Sequence, residues 1–493
     1  MKNGTMMQFF HWYTPEDGSL WRTVKKEAPR LAAMGINAIW LPPACKGADG
    51  TRSHGYDIYD LYDLGEFDQK GTIRTRYGTR EEYADAIKAI QAAGMQVYVD
   101  VVLNHLMGGD ETEKIKVRKV DPENRNEFIS DVIEIEAYTR FTYPGRKGAH
   151  SDFKWDHQCF TGVDHAANSN EEAIFTIQNE YGDGWEEMID TEKGNFDYLM
   201  GADIEFRNPA VREEIRRWGE WYYNAVKYDG FRLDAVKHIT PSFFNEWLDQ
   251  MREYTGRELF AVGEYWAPGQ LDLLLRYIEV TNGKMSLFDA PLHHNFYEAS
   301  LAGKDYDLTK IFDGSLVQAK PFLAVTVIGN HDTQPLQALE APVDYWFKPI
   351  AYALILLRDH GYPCVFYPDL YGAKYTDKNA EGVDTEIELV PVENLEKLIS
   401  ARDKFAYGQE RSYFDHPNCI GWTREGDEEH SGCAVVISNA EESEKHMEIG
   451  KRYAGKRFRD LLGKRKEEIV VDEEGWANFL CAAGAVSVWT PAE

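Results

Sequence analysis

Residues 230–238 read GFRLDAVKH. A short apolar run carries one buried-side charge, Arg232, and then opens into Asp234, Lys237 and His238. Strands of an all-parallel sheet are buried on both faces, so they read as near-continuous apolar runs, and their working residues lie just past the C-terminal end. Three other stretches share this form: DVVLNH at residues 100–105, GEYW at 263–266 and GNHD at 329–332. Outward from these four, further apolar, β-branched or aromatic runs occur, so that eight strands are predicted, at residues 4–10, 38–41, 97–103, 230–233, 259–262, 286–289, 322–328 and 364–367.

Helical signals lie between them. Thr79-Arg80-Glu81-Glu82 has the spacing of a capping box, followed by an apolar face of Tyr83, Ile87 and Ile90, with Gly94 placed to end the helix. Asn208-Pro209 starts another helix, whose stripe is Val211, Ile215, Trp218, Tyr222 and Val226. Eight strands alternating with helices predict an α/β chain folded as a (β/α)8 TIM barrel. Residues 104–206 interrupt the alternation and are too long for a loop, so an inserted subdomain is expected after strand three. The barrel then spans residues 1–103 and 207–400. From 401 to 493 short strands at 433–438, 446–449, 468–471 and 485–489 predict a C-terminal antiparallel β-sandwich domain.

The 493-residue chain has 43% hydrophobic residues, enough for a globular protein of several domains, and a net charge of −29. That charge repels phosphate backbones and anionic lipid, so nucleic acid and membrane surfaces are excluded as expected partners. Six scattered cysteines (Cys45, Cys159, Cys364, Cys419, Cys433, Cys481) form no paired framework, and no stretch reads as a signal core or a membrane span. A cytoplasmic, monomeric protein is expected.

Carboxylates at the ends of several barrel strands admit one chemistry in particular. Cleaving a glycosidic bond needs a protonated carboxyl to protonate the leaving oxygen and an ionised carboxylate on the opposite side of the sugar. Arg232 stands two residues before Asp234, hence on the same strand face, where a guanidinium holds the acid ionised as a nucleophile requires. Glu264 ends an apolar strand beside Tyr265 and Trp266, where partial desolvation keeps it protonated for acid duty.

The four clusters resemble the signature regions of the α-amylase family, glycoside hydrolase family 13. HGYDIYDLYDLGEFDQKGTIRTRYGT (residues 54–79), DYLMGADIEF (197–206), WFKPIAYALIL (346–356) and GYPCVFYPDLYG (361–372) extend the likeness to bacterial liquefying-type and cytoplasmic α-amylases. The resemblance implies a retaining, endo-acting α-1,4-glucan hydrolase acting on maltodextrin, starch or glycogen. By that likeness Asp234 is the nucleophile, Glu264 the general acid/base and Asp332 the third carboxylate, gripping sugar hydroxyls. Arg232 orients Asp234, Tyr56 stacks on the sugar, His105 and His331 bind its hydroxyls, and Lys237 and His238 contact the leaving-group side. It also implies Ca2+ between barrel and insert, held by Asn104, Asp197, Asp203 and the backbone carbonyl of His238. Relatives with an additional calcium-sodium-calcium cluster carry acids near this ADID stretch, whereas this chain reads Ala202-Asp-Ile-Glu205-Phe-Arg207, so one structural calcium is expected.

Three other readings compete. An exo-acting or transglycosylating relative would share the same acids. A metal-dependent barrel lyase or isomerase would need a Lys or His base facing them, and Arg232 and His331 would crowd its cation. A non-catalytic member of the fold would usually lack one of the three acids, all of which are present. Trp422 and Trp489 in the C-terminal region read as core rather than as a carbohydrate platform.

Overall fold

The computed structural model describes residues 3–492. Eight parallel strands close into a barrel: β1 (Met6–Gln8), β2 (Ala38–Leu41), β3 (Gln96–Val101), β4 (Gly230–Leu233), β5 (Phe260–Gly263), β6 (Ser286–Phe288), β7 (Ala324–Val327) and β8 (Tyr362–Phe366). Neighbours follow chain order around the ring, and β1 closes on β8 with Met6 opposite Cys364. Each expected strand is present within a few residues of its predicted bounds. The strands are shorter than the apolar runs because a run continues into the turn that leaves the barrel, as Val102 and Leu103 do beyond β3, both fully buried.

Local chemistry sets the helices. Thr79 accepts from the Glu82 amide, and the Glu82 side chain accepts from the Thr79 amide, so the capping box over Arg80–Ala92 is complete. Asn208 accepts from Ala210, and Pro209 opens the helix Pro209–Val226, whose buried stripe includes Val211, Ile215, Trp218, Tyr222 and Val226. These helices bury their apolar faces on the barrel.

Between β3 and β4 lies a six-stranded sheet that includes long strands Glu111–Lys119 and Ile133–Arg140 and a short strand, Ala202–Ile204, just before β4's preceding helix. The C-terminal region holds a six-stranded antiparallel sheet and a two-stranded one, with a core of their own around Met447, Phe458, Phe479 and Trp489. Its strands Glu410–Tyr413, Cys419–Gly426, Arg457–Asp460 and Trp476–Cys481 go beyond those read from sequence. Trp422 and Trp489 are both fully buried, as expected of core. All six cysteines are free and buried.

Candidate active site

The C-terminal ends of the strands open on a cavity of about 740 Å³. Asp234, Glu264 and Asp332 line it together with Tyr56, His105, Lys237, His238 and His331. Arg232 lies beneath them. Every side chain expected to meet the sugar is therefore at one mouth.

Arg232 sits inside β4, fully buried. Its guanidinium contacts Asp234, pairs with Asp100 at 2.9 Å and reaches Glu264 at 2.9 Å. Burial alone would discharge it, but Asp100, Glu264 and Asp234 outweigh that and hold it firmly cationic. Asp100 is opposite Arg232 in register between β3 and β4. It also accepts from the Trp40 indole and the Tyr56 hydroxyl, each at 2.9 Å. One cation and one carboxylate thus position the nucleophile candidate and the aromatic wall together.

The chain turns sharply after Asp234. Ala235 has φ +48°, a left-handed conformation disfavoured for a residue with a Cβ. That turn aims the Ala235 amide at Glu264, which accepts at 3.1 Å. Burial nevertheless pushes Glu264 up to about 8, with Asp234 and Asp332 adding repulsion and Arg232 opposing. Burial likewise raises Asp332 to about 7 and Asp100 to about 6. The buried acids compete for protons around a single guanidinium, which is the arrangement that separates an acid from a carboxylate at neutral pH.

Burial disfavours the charged forms of His331, His105 and His238. Burial and Arg232 push His331 well below its usual range, burial lowers His105, and burial with Lys237 takes His238 to about 3. The His331 ring lies parallel to Tyr56, with centroids 4.9 Å apart. Lys237 sits differently from a free sugar ligand: its ammonium is 3.5 Å from Asp190 and 3.3 Å from Glu192, both on the insert, and lies over the Phe196 ring.

Three of the residues expected to hold calcium, Asn104, Asp197 and Asp203, lie close together. Asn104 and Asp203 are hydrogen bonded at 3.1 Å, and Asp203 accepts from the Thr161 hydroxyl. Asp197 accepts from the Glu186 amide at 2.9 Å. The Asn104 side-chain oxygen, Oδ1, is buried without a partner. Burial, and then repulsion among the neighbouring acids, holds Asp197 and Asp203 well above the usual carboxylate range. The His238 ring donates from Nδ1 to the Phe196 carbonyl at 2.7 Å, tying this turn to the insert. Among the described residues no three His, Cys, Asp or Glu side chains form a cage by themselves. Two carboxylates and an amide oxygen are all-oxygen donors, which fit a hard cation. Next to it, Arg207 forks onto the buried Glu205 at 2.7 and 2.6 Å, and a Cβ at Gly182 would collide with that guanidinium.

Sequence reasoning did not single out Asp100, Trp12 or His54. Asp100 carried a signal, a lone acid within a buried strand. Trp12, on the cavity wall, and His54, stacked on it with centroids 4.3 Å apart, carried none.

A closed barrel with three buried acids around an arginine at its C-terminal mouth defines a glycosidase-type carboxylate site. Comparison with known proteins agrees. The model of the α-amylase catalytic domain matches residues 17–404, and that of an α-amylase C-terminal domain matches 433–490. A cytoplasmic α-amylase of Escherichia coli (strain K12) is 52% identical over 99% of both chains. An α-amylase of Geobacillus stearothermophilus is 48% identical over 99% of this chain and 87% of its own. A solved α-amylase from Geobacillus thermoleovorans shares the fold, with TM-score 0.64 and 18% identity over 100% of this chain and 98% of that one. The chain belongs to the α-amylase family, glycoside hydrolase family 13, and is a glycoside hydrolase.

With Glu264 pushed up to about 8, its acid form is present below that pH and is lost as pH rises through it. The basic limb of the kcat/KM profile is expected near pH 8, well above the ordinary carboxylate range. A profile already falling at pH 5 would contradict this.

Proposed function

We propose that this protein is a retaining, endo-acting α-1,4-glucan hydrolase that cleaves maltodextrin, starch or glycogen. The observation that carries the reading is the Arg232 guanidinium held between Asp234 and Glu264 at the floor of the cavity. The relatives named above are α-amylases, which supports the same substrate class.

In this reading the Asp234 carboxylate, paired with Arg232, attacks the anomeric carbon. Glu264 gives its proton to the glycosidic oxygen, and the leaving chain departs with a free hydroxyl. Asp234 is left as a covalent glycosyl ester. Glu264, now a carboxylate, takes a proton from water. That water attacks the same carbon and releases Asp234, returning both acids to their starting states. Asp332 holds sugar hydroxyls beside the developing positive charge, while His105 and His331 hydrogen bond to the same ring. Tyr56, fixed by Asp100, covers its face. Lys237 and His238 contact the leaving-group side, with Lys237 presented by Asp190 and Glu192.

We assign one structural Ca2+ to Asn104, Asp197, Asp203 and the His238 carbonyl. A bound calcium would neutralise the buried acids and tie the insert to the turn after β4. The partnerless Asn104 oxygen supports this, and the Glu205–Arg207 fork beside it supports a single ion, because the guanidinium already supplies a cation there. The protein is proposed to be a cytoplasmic monomer. The E. coli relative named cytoplasmic and the six free cysteines support the location.

A time course on an amylose oligosaccharide blocked at its non-reducing end tests the activity. Several medium-sized products are expected, and Asp234→Asn should lower the rate by at least about a thousandfold with the fold intact. Release of glucose or maltose from an open chain, with the blocked one untouched, would mean exo attack instead. Chelation with EDTA is expected to lower the melting temperature, since a ligand bound only by the folded state stabilises it. An unchanged melting temperature, with metal analysis confirming removal, would refute the calcium assignment.

A further inference from the structure

One element on the catalytic face has no part in the chemistry above. After β8 and the short helix Tyr367–Tyr371, the chain forms a hairpin of strands Ala373–Lys378 and Asp384–Leu389, paired from Ala373 opposite Leu389 to Lys378 opposite Asp384. Its outward side chains make exposed ion pairs, Lys374 with Glu386 and Lys378 with Asp384. Exposed pairs of this kind contribute little. Its inward side does something more specific.

Tyr375 is buried and lies flat on Tyr13, with centroids 3.8 Å apart and planes 13° from parallel. Its hydroxyl donates to the Pro335 carbonyl at 3.0 Å. The Tyr13 hydroxyl donates to Asp377 at 2.6 Å and accepts from the Gln337 amide at 2.8 Å. The Trp12 backbone amide donates to Gln334 at 3.0 Å. Three segments are therefore locked together: the turn after β1 with Trp12 and Tyr13, the loop after β7 with Asp332, and the hairpin. The loop needs outside support, because Leu336 in it has φ +70°.

What the lock presents to the cavity is the Trp12 ring. It lies 9° from parallel to both Tyr56 and His331, at centroid distances of 6.0 and 6.2 Å. Indole faces stack on the C–H faces of pyranose rings, so Trp12 extends the wall that Tyr56 begins. Trp12 and Tyr56 follow β1 and β2, whereas Glu264 and Trp266 follow β5, on the far side of the ring of strands. The Trp12 end is thus the end away from the acid, where the retained part of the glucan lies.

We propose that the hairpin is a clamp that fixes Trp12 as a stacking platform for a glucose unit beyond the one Tyr56 covers. Tyr375, Asp377 and Tyr13 are then positioning residues for chain length and touch no reacting atom. This rests on the α-glucan reading. A glucan too short to reach Trp12 gains nothing from the clamp, and a long one gains the stacking contact, so the hairpin matters only for long substrates.

The test is kcat/KM on maltotriose and maltoheptaose for the full-length protein and its Tyr375→Ala, Tyr375→Phe and Asp377→Asn variants, with melting temperatures alongside. Wild-type cleavage of maltoheptaose checks the underlying reading separately. Tyr375→Ala is expected to lower kcat/KM on maltoheptaose about fivefold, the size of a lost aromatic stacking contact, through KM, with maltotriose within about twofold. Tyr375→Phe, which keeps the ring stack, should recover most of it. Asp377→Asn, nearly isosteric, should shift maltoheptaose in the same direction even if Tyr375→Ala does not fold. Equal losses on both substrates, or none on either, would overturn the proposal.

Discussion

The mouth of the barrel depends on one buried cation. Arg232 has no access to water, and it persists there because Asp100, Asp234 and Glu264 surround it. Removing one partner of such a buried set leaves an uncompensated charge, at a cost of about 3–5 kcal/mol. The acids depend on it in turn. Burial already raises Asp100 and Glu264, and the guanidinium is what opposes that rise in both. Fold and chemistry therefore share a single requirement, that β3 and β4 pair so that Asp100 faces Arg232.

From this centre the constraint passes outward through hydrogen bonds. Asp100 fixes Tyr56 and Trp40, and Gln8 of β1 bonds the His331 ring at 3.1 Å. The His238 ring joins the turn after β4 to Phe196 of the insert. Parts of the chain far apart in sequence meet because eight short strands bring their ends to one ring. A barrel of this kind tolerates long insertions at that face, and the insert after β3 and the hairpin after β8 are both built there.

Much of this was legible in the sequence, and the limits follow from distance along the chain. The period of two in a strand put Arg232 and Asp234 on one face without any knowledge of the fold. The capping box at Thr79 was legible because its two bonds span three residues. Asp100 as the partner of Arg232 was not, since register between strands is not written in either one. Lys237 read as contacting the sugar on the leaving-group side; its pairing with Asp190 and Glu192 was not legible, since they lie more than 40 residues earlier, on the insert. The hairpin 373–389 carries Lys374, Asp377 and Lys378 on one strand and Asp384, Glu386 and Glu388 on the other, with too few apolar residues to stand out. Strand Arg457–Asp460 was missed for a similar reason: it buries only Phe458 and Asp460, with arginines facing out.

The central claim is that Asp234 attacks the sugar directly, and the stereochemistry of the product reports on it. Proton NMR of the anomeric signals, taken at an enzyme concentration that outruns mutarotation, reads the configuration of the newly formed reducing end. A double displacement through Asp234 predicts that the α anomer appears first and the β anomer grows in only as mutarotation proceeds. First appearance of the β anomer would mean that water attacks in a single step, and would contradict the account.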